Sequence, residues 1–174
     1  MCPTRPTGSS LCAGIELDGA LVDTSFLIAL VKPEDEGHST AVAYYKGCIE
    51  RDVPLYLSTI VISEFSVKQG VTDLELRNYI TVPFNVDHGM KAGQFFSRIE
   101  RDPGDGRPAV KDDLKLIAQC ACEQISHLLT ADERTLAKYM RQLAAAGLVA
   151  TTPVTLSAGY DAAWFSGGQR SIDA

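Results

Sequence analysis

Several absences narrow the field before any motif is read. No apolar run approaches the roughly 20 residues that a membrane span needs. The start, "MCPTRPTGSSLCAG", lacks a charged head followed by an apolar block, so no secretory signal is expected and cytoplasm is the default. Net positive charge is also missing: 16 Lys and Arg against 22 Asp and Glu leave a formal charge of −6. Such a chain does not hold nucleic acid by bulk electrostatics. It leaves room for acids that hold metal ions, because a bound cation reverses the local sign. The five cysteines are odd in number and fit neither a disulfide framework nor a zinc site. Cys120 and Cys122 fall two apart in an apparent helix, where they do not share a face. They read as small, buried side chains.

Apolar residues make up 45% of the 174, enough for one domain with a core. Residues 1–18 are rich in Pro, Ser, Gly and Thr and are expected to be flexible. Residues 19–156 are expected to form the domain and 157–174 a C-terminal tail. Within the domain, short apolar runs alternate with helical periodicity. "GALVD", "VPLYLS", "ITVPFNV", "ISHLLT" and "LVATTPVTL" read as strands, the third an edge strand because Pro83 interrupts it. "TSFLIALV" reads as a helix ending before Pro33, and "TIVISEFSVK" as one capped by Ser58 or Thr59. In "HSTAVAYYKGCIERD" the spacing aligns Ala41, Val42, Tyr45 and Ile49 on one face. "TDLELRNY" is expected to be a short helix. "DHGMKAGQFFSRIERD" and "DERTLAKYMRQLAAAG" are expected to be helices throughout, with "PGDGRPAV" a loop and "KDDLKLIAQCACEQ" a helix after it. Strands alternating with helices predict an α/β fold around a mainly parallel sheet, with any site at the carboxyl ends of the strands.

Four acids stand out on that frame. Asp23 ends the first strand and Asp132 follows a later one; each also suits a helix cap. Glu64 shares helical spacing with Ile60, Val61 and Val67, an apolar stripe that disfavours a carboxylate without a cation or donor. Asp112 and Asp113 are separated by the same spacing. Asp112 aligns with Lys115, Gln119 and Glu123, a face expected in water, and reads as a helix-start acid. Asp113 aligns with Leu116, Ile117 and Cys120, a face expected to be buried. Packed together, such charges force some acids to hold protons unless a cation joins them. An oxygen-only set without Cys or His suits Mg²⁺ or Mn²⁺. An ion there can activate water for phosphodiester hydrolysis.

In order, "LVDTSFLIAL", "STIVISEF", "DLKLIAQC" and "LLTADERTL" resemble the four acidic segments of PIN-domain nucleases, including the VapC toxins. The resemblance covers residues 20–150. It places the family's acids on Asp23, Glu64, Asp113 and Asp132, with Thr130 as its threonine and Asp112 as the alternative in the doublet. It implies a three-layer α/β/α sandwich with a parallel sheet of about five strands. It further implies metal-dependent endoribonuclease cleavage of single-stranded RNA, an antitoxin partner if the chain is a toxin, and a homodimer. A PIN module that binds RNA or a protein without catalysis is the alternative. The tail beyond Leu156 is longer than the short ending typical of the toxins.

The hydroxyls of Thr24, Ser25 and Thr130 lie beside the acids and can orient a carboxylate or cap a helix. Lys68, Lys111, Lys115, Arg134, Lys138 and Arg141 flank the segments and are candidates for RNA phosphates. His38 reads as a packing or capping residue, Gly104 and Gly106 as turn glycines, and Trp164 and Phe165 as anchors of the tail.

Overall fold

The computed structural model describes residues 19–166. The flexibility expected of residues 1–18, and the tail beyond Ser166, lie outside the described residues. Five strands alternate with six helices: β1 (Ala20–Val22), α1 (Thr24–Val31), α2 (His38–Glu50), β2 (Leu55–Ser58), α3 (Thr59–Lys68), β3 (Ile80–Val82), α4 (Val86–Phe96), α5 (Arg107–Glu123), β4 (His127–Thr130), α6 (Leu136–Ala145) and β5 (Thr152–Thr155). All pairings are parallel, in the order β3-β2-β1-β4-β5. β1 is central, with Val22 level with Leu57 and Leu129. Its Ala20, Leu21 and Val22 are fully buried, as expected of a strand covered on both faces.

β1→β2→β3 steps one way across the sheet and β4→β5 the other. Right-handed crossovers then put α1–α3 and α4–α6 on opposite faces. The contacts agree: α1 packs on α2 and α3, whereas α5 packs on α4 and α6. The direction reverses between β1 and β4, so the crevice where ligands bind in such sheets opens over their carboxyl ends. Among the described residues no helix is long and apolar enough to cross a membrane.

Several expected boundaries move. α5 starts at Arg107, not after the "PGDGRPAV" loop, because Pro108 is accommodated in a helix's first turn. Asp112 therefore lies beyond the first turn, and the helix-start role read for it is wrong. It accepts a hydrogen bond from Lys115 at 2.6 Å instead. Gln119, expected in water, is fully buried: it accepts from Ser58 Oγ at 2.6 Å and donates to the Val82 carbonyl at 3.2 Å. α4 ends at Phe96, leaving Ile99 outside it, and opens with a capping box of Asn85 and His88. α6 begins only at Leu136, because Asp132 folds the preceding residues into a side-chain-capped turn. The "TDLELRNY" stretch forms two 3-10 turns, Val71–Asp73 and Leu76–Asn78.

α2 buries Ala41, Tyr44 and Cys48, while Ile49 is exposed, so the apolar face is rotated from the expected one. The tail accounts for part of this. Tyr44 meets Tyr160 and Trp164 edge to face, and its hydroxyl donates to the Gly159 carbonyl at 3.2 Å. The Phe165 ring lies against Gly47, where an added Cβ would stand 2.5 Å from its Cζ. Gly47→Ala is therefore expected to destabilise the protein, although alanine is the better helix former by about 1 kcal/mol. Trp164 is the chain's one tryptophan, so displaced packing should appear as a red shift of its emission. Unchanged emission and a raised Tm would show that the ring does not occupy that site.

Candidate active site

Asp23 leaves β1 and caps α1, its Oδ1 accepting from the Phe26 N–H at 2.8 Å. Thr130, at the end of β4, donates to its Oδ2 at 2.8 Å, and Ser25 Oγ lies 2.9 Å from both carboxylate oxygens. The same two hydroxyls also accept backbone N–H groups at 2.8 Å: Ser25 from Ala131, across the crevice, and Thr130 from Asp132, two residues on in its own segment. The carboxyl ends of β1 and β4 are thus stitched together around one buried acid.

Asp132 caps its own turn. Its Oδ1 accepts from the N–H groups of Arg134 and Thr135 at 2.8 and 2.9 Å, and its Oδ2 accepts from the Thr135 hydroxyl at 2.7 Å. Glu64 is half-buried on α3, and its Oε2 accepts from Thr24 Oγ1 at 2.5 Å. Asp113 enters from α5. Its Oδ2 is buried and has no hydrogen-bond partner.

All four acids line one cleft of about 540 Å³, together with Asp112, Thr24, Ser25 and Lys68. The side chains of Lys138, Arg141 and Lys115 are instead committed to protein carboxylates. Lys138 bridges Asp102 and Asp105, Arg141 pairs with Glu133 at 2.8 Å, and Lys115 pairs with Asp112. Arg134 sits 3.9 Å from Asp105. Lys68 lines the cleft without an ion pair among the described residues.

Burial is the main force on the acids. It raises Asp23 to about 6 against the pull of the Phe26, Thr130 and Ser25 hydrogen bonds, and the charge of Asp132 adds to the rise. It raises Asp113 to about 7; the charges of Asp132, Asp23 and Glu64 push the same way, and the Thr135 hydroxyl offsets part of this. Both folded pKa values exceed the ordinary 3.8, so in metal-free buffer these groups favour folding at low pH. That contribution is expected to fade as pH rises from about 4 to about 7. Melting curves across this range check it, and Asp113→Asn should flatten the decline.

Among the described residues no group of three or more acids, histidines or cysteines stands ready to cage a metal ion. The donor set nevertheless suits a hard cation in kind. It is all oxygen, it includes one buried oxygen without a partner, and its charges oppose one another.

Solved structures share this arrangement of strands and helices. VapC20 of Mycobacterium tuberculosis, a sarcin-ricin-loop-cleaving toxin, aligns over 78% of this chain and 100% of its own, with a TM-score of 0.53 and 20% identity. FitAcB of Neisseria gonorrhoeae aligns over 79% and 98%, with a TM-score of 0.57 and 15% identity. The chain has the PIN fold of the VapC toxins. DNA-bound VapBC of Salmonella typhimurium covers 79% and 98% at a TM-score of 0.52 and 11% identity. No family model and no curated protein matches the sequence. The VapC-type fold explains why acids 109 positions apart meet at one crevice: Asp23 and Asp132 follow adjacent parallel strands.

Local sequence rules do not reveal the burial of Gln119 or of Asp105. Gln119 ties α5 to β2 and to the end of β3. Asp105 accepts from Tyr139 Oη at 2.6 Å and from Lys138, and so fixes the start of α5 against α6. Asp105 lies between two turn glycines, a context that signals solvent. Only the distant pair Lys138–Tyr139 shows otherwise.

Proposed function

We propose that this protein is an endoribonuclease that cleaves single-stranded RNA with Mg²⁺ or Mn²⁺ held by Asp23, Glu64, Asp113 and Asp132. The observation that carries the reading is the buried Asp113 Oδ2, which has no hydrogen-bond partner and belongs to an acid that shares one cleft with Asp23, Glu64 and Asp132. A divalent ion would supply an activated water and charge for the leaving oxygen. The chain's own groups do the remaining work. Ser25 and Thr130 hold Asp23, Thr24 holds Glu64, and Thr135 holds Asp132, so the carboxylates are aimed before substrate arrives. Lys68 is placed to meet an RNA phosphate, and the apolar walls given by Ile28, Leu116 and Leu136 limit water.

The likeness to VapC20, FitAcB and VapBC supports a toxin with an antitoxin partner, in a homodimer. The rival reading is a module that binds RNA or protein without cleaving it. Incubating the purified protein with labelled single-stranded RNA and Mn²⁺ separates the two. Cleavage that stops with a chelator supports the nuclease; binding without cleavage supports the module.

A further inference from the structure

α4 and α5 leave a second trough between them, of about 320 Å³, bounded by the rings of Phe84 and Phe96 and by Lys111 and Lys115. Glycines 89 and 93 keep the α4 side low, and a Cβ added at Gly93 would meet nothing within 4 Å. Along α5, Arg107, Lys111 and Lys115 recur every fourth residue on one stripe, about 6 Å apart. The Arg107 guanidinium lies 5.3 Å from the Phe96 ring centroid. Lys111 is exposed and makes no ion pair among the described residues. A protein of net charge −6 thus places two cations without an ion pair among the described residues, Arg107 and Lys111, beside two phenyl rings. Lys115, on this trough, bonds to Asp112, which lines the acidic cleft, so the two sites adjoin across α5.

Rings that stack bases beside cations that meet phosphates are what single-stranded nucleic acid requires. We propose that this trough is a second RNA subsite, taking one base between Phe84 and Phe96 and the neighbouring phosphates on Arg107 and Lys111. The strand then crosses α5 from the trough to the acidic cleft. This last step rests on the nuclease reading, while the trough itself does not.

The test uses Asp113→Asn protein without divalent metal and a labelled single-stranded RNA of roughly twelve nucleotides, followed by anisotropy. Gly93→Leu fills open space and is expected to weaken binding on the order of tenfold by excluding one stacked base. Lys111→Glu is expected to weaken binding and to lower the slope of log K against log salt by about 0.7 for the lost phosphate. The proposal falls if no RNA binds, or if both variants, folded as judged by circular dichroism, keep the affinity and salt slope of their background. It also falls if a polyglutamate peptide displaces the RNA at equal charge concentration, which would mark a site for an acidic protein segment. Binding that responds to both changes, in a parent that does not cleave, keeps the trough and removes the nuclease reading. Cleavage by the parent with unresponsive binding does the reverse.

Discussion

Asp113→Asn is expected to abolish RNA cleavage while making the metal-free protein more stable. Loss of an outer partner of a metal ligand already costs about 10- to 100-fold, so loss of a ligand should exceed 100-fold. The stability effect has the opposite sign. With its pKa pushed up to about 7, Asp113 is charged at pH 8 in a place where burial and three other acids oppose that charge. Asparagine keeps the shape and removes the conflict, so the variant should melt at a higher temperature at pH 8 in chelator. Asp23→Asn should also lose activity. Its stability gain is smaller, because the carboxylate charge there is partly compensated by Phe26, Thr130 and Ser25. Asp112→Asn should cleave at close to the parental rate, since its carboxylate is taken up by Lys115. Activity lost in Asp112→Asn but kept in Asp113→Asn would move the role across the doublet.

The second large effect is a metal-dependent melting shift. An ion that binds only the folded state stabilises it by about 2.7 kcal/mol at a hundredfold excess over Kd. For a chain of this size that is roughly 5 to 10 °C in Tm. The ion competes with protons for Asp23 and Asp113, which ordinarily lose them near pH 6 and 7 here. The shift with Mn²⁺ should therefore be large at pH 8 and small at pH 5. Glu64→Gln, whose carboxylate is already oriented by Thr24, should reduce it. A shift of equal size at both pH values would point to binding elsewhere on the surface.

Much of the acidic cleft was legible in the sequence because its acids sit where local rules are strong. Asp23 and Asp132 follow strands, and a reversal in strand order brings strand ends together. Asp113 was separated from Asp112 by helical spacing alone. Spacing does not depend on the starting residue; both side chains are half-buried and line the cleft, and the buried Asp113 Oδ2 is what sets the two apart. The role assigned to Asp112 did depend on the starting residue and failed once Pro108 proved to lie within the first turn. Gln119 was misread for another reason. A polar stripe implies water, but Ser58 and the Val82 carbonyl supply partners from strands some forty to sixty positions away. The rotated face of α2 was equally hidden, since Tyr44 is covered by tail residues more than a hundred positions on.

The most direct measurement is the anomalous scattering of a crystal soaked in Mn²⁺ near pH 8. The account predicts a peak bounded by carboxylate oxygens of Asp23, Glu64, Asp113 and Asp132, with Asp113 Oδ2 among its ligands. A peak held by Asp112 without Asp113, or Mn²⁺ bound only outside the cleft, would contradict it.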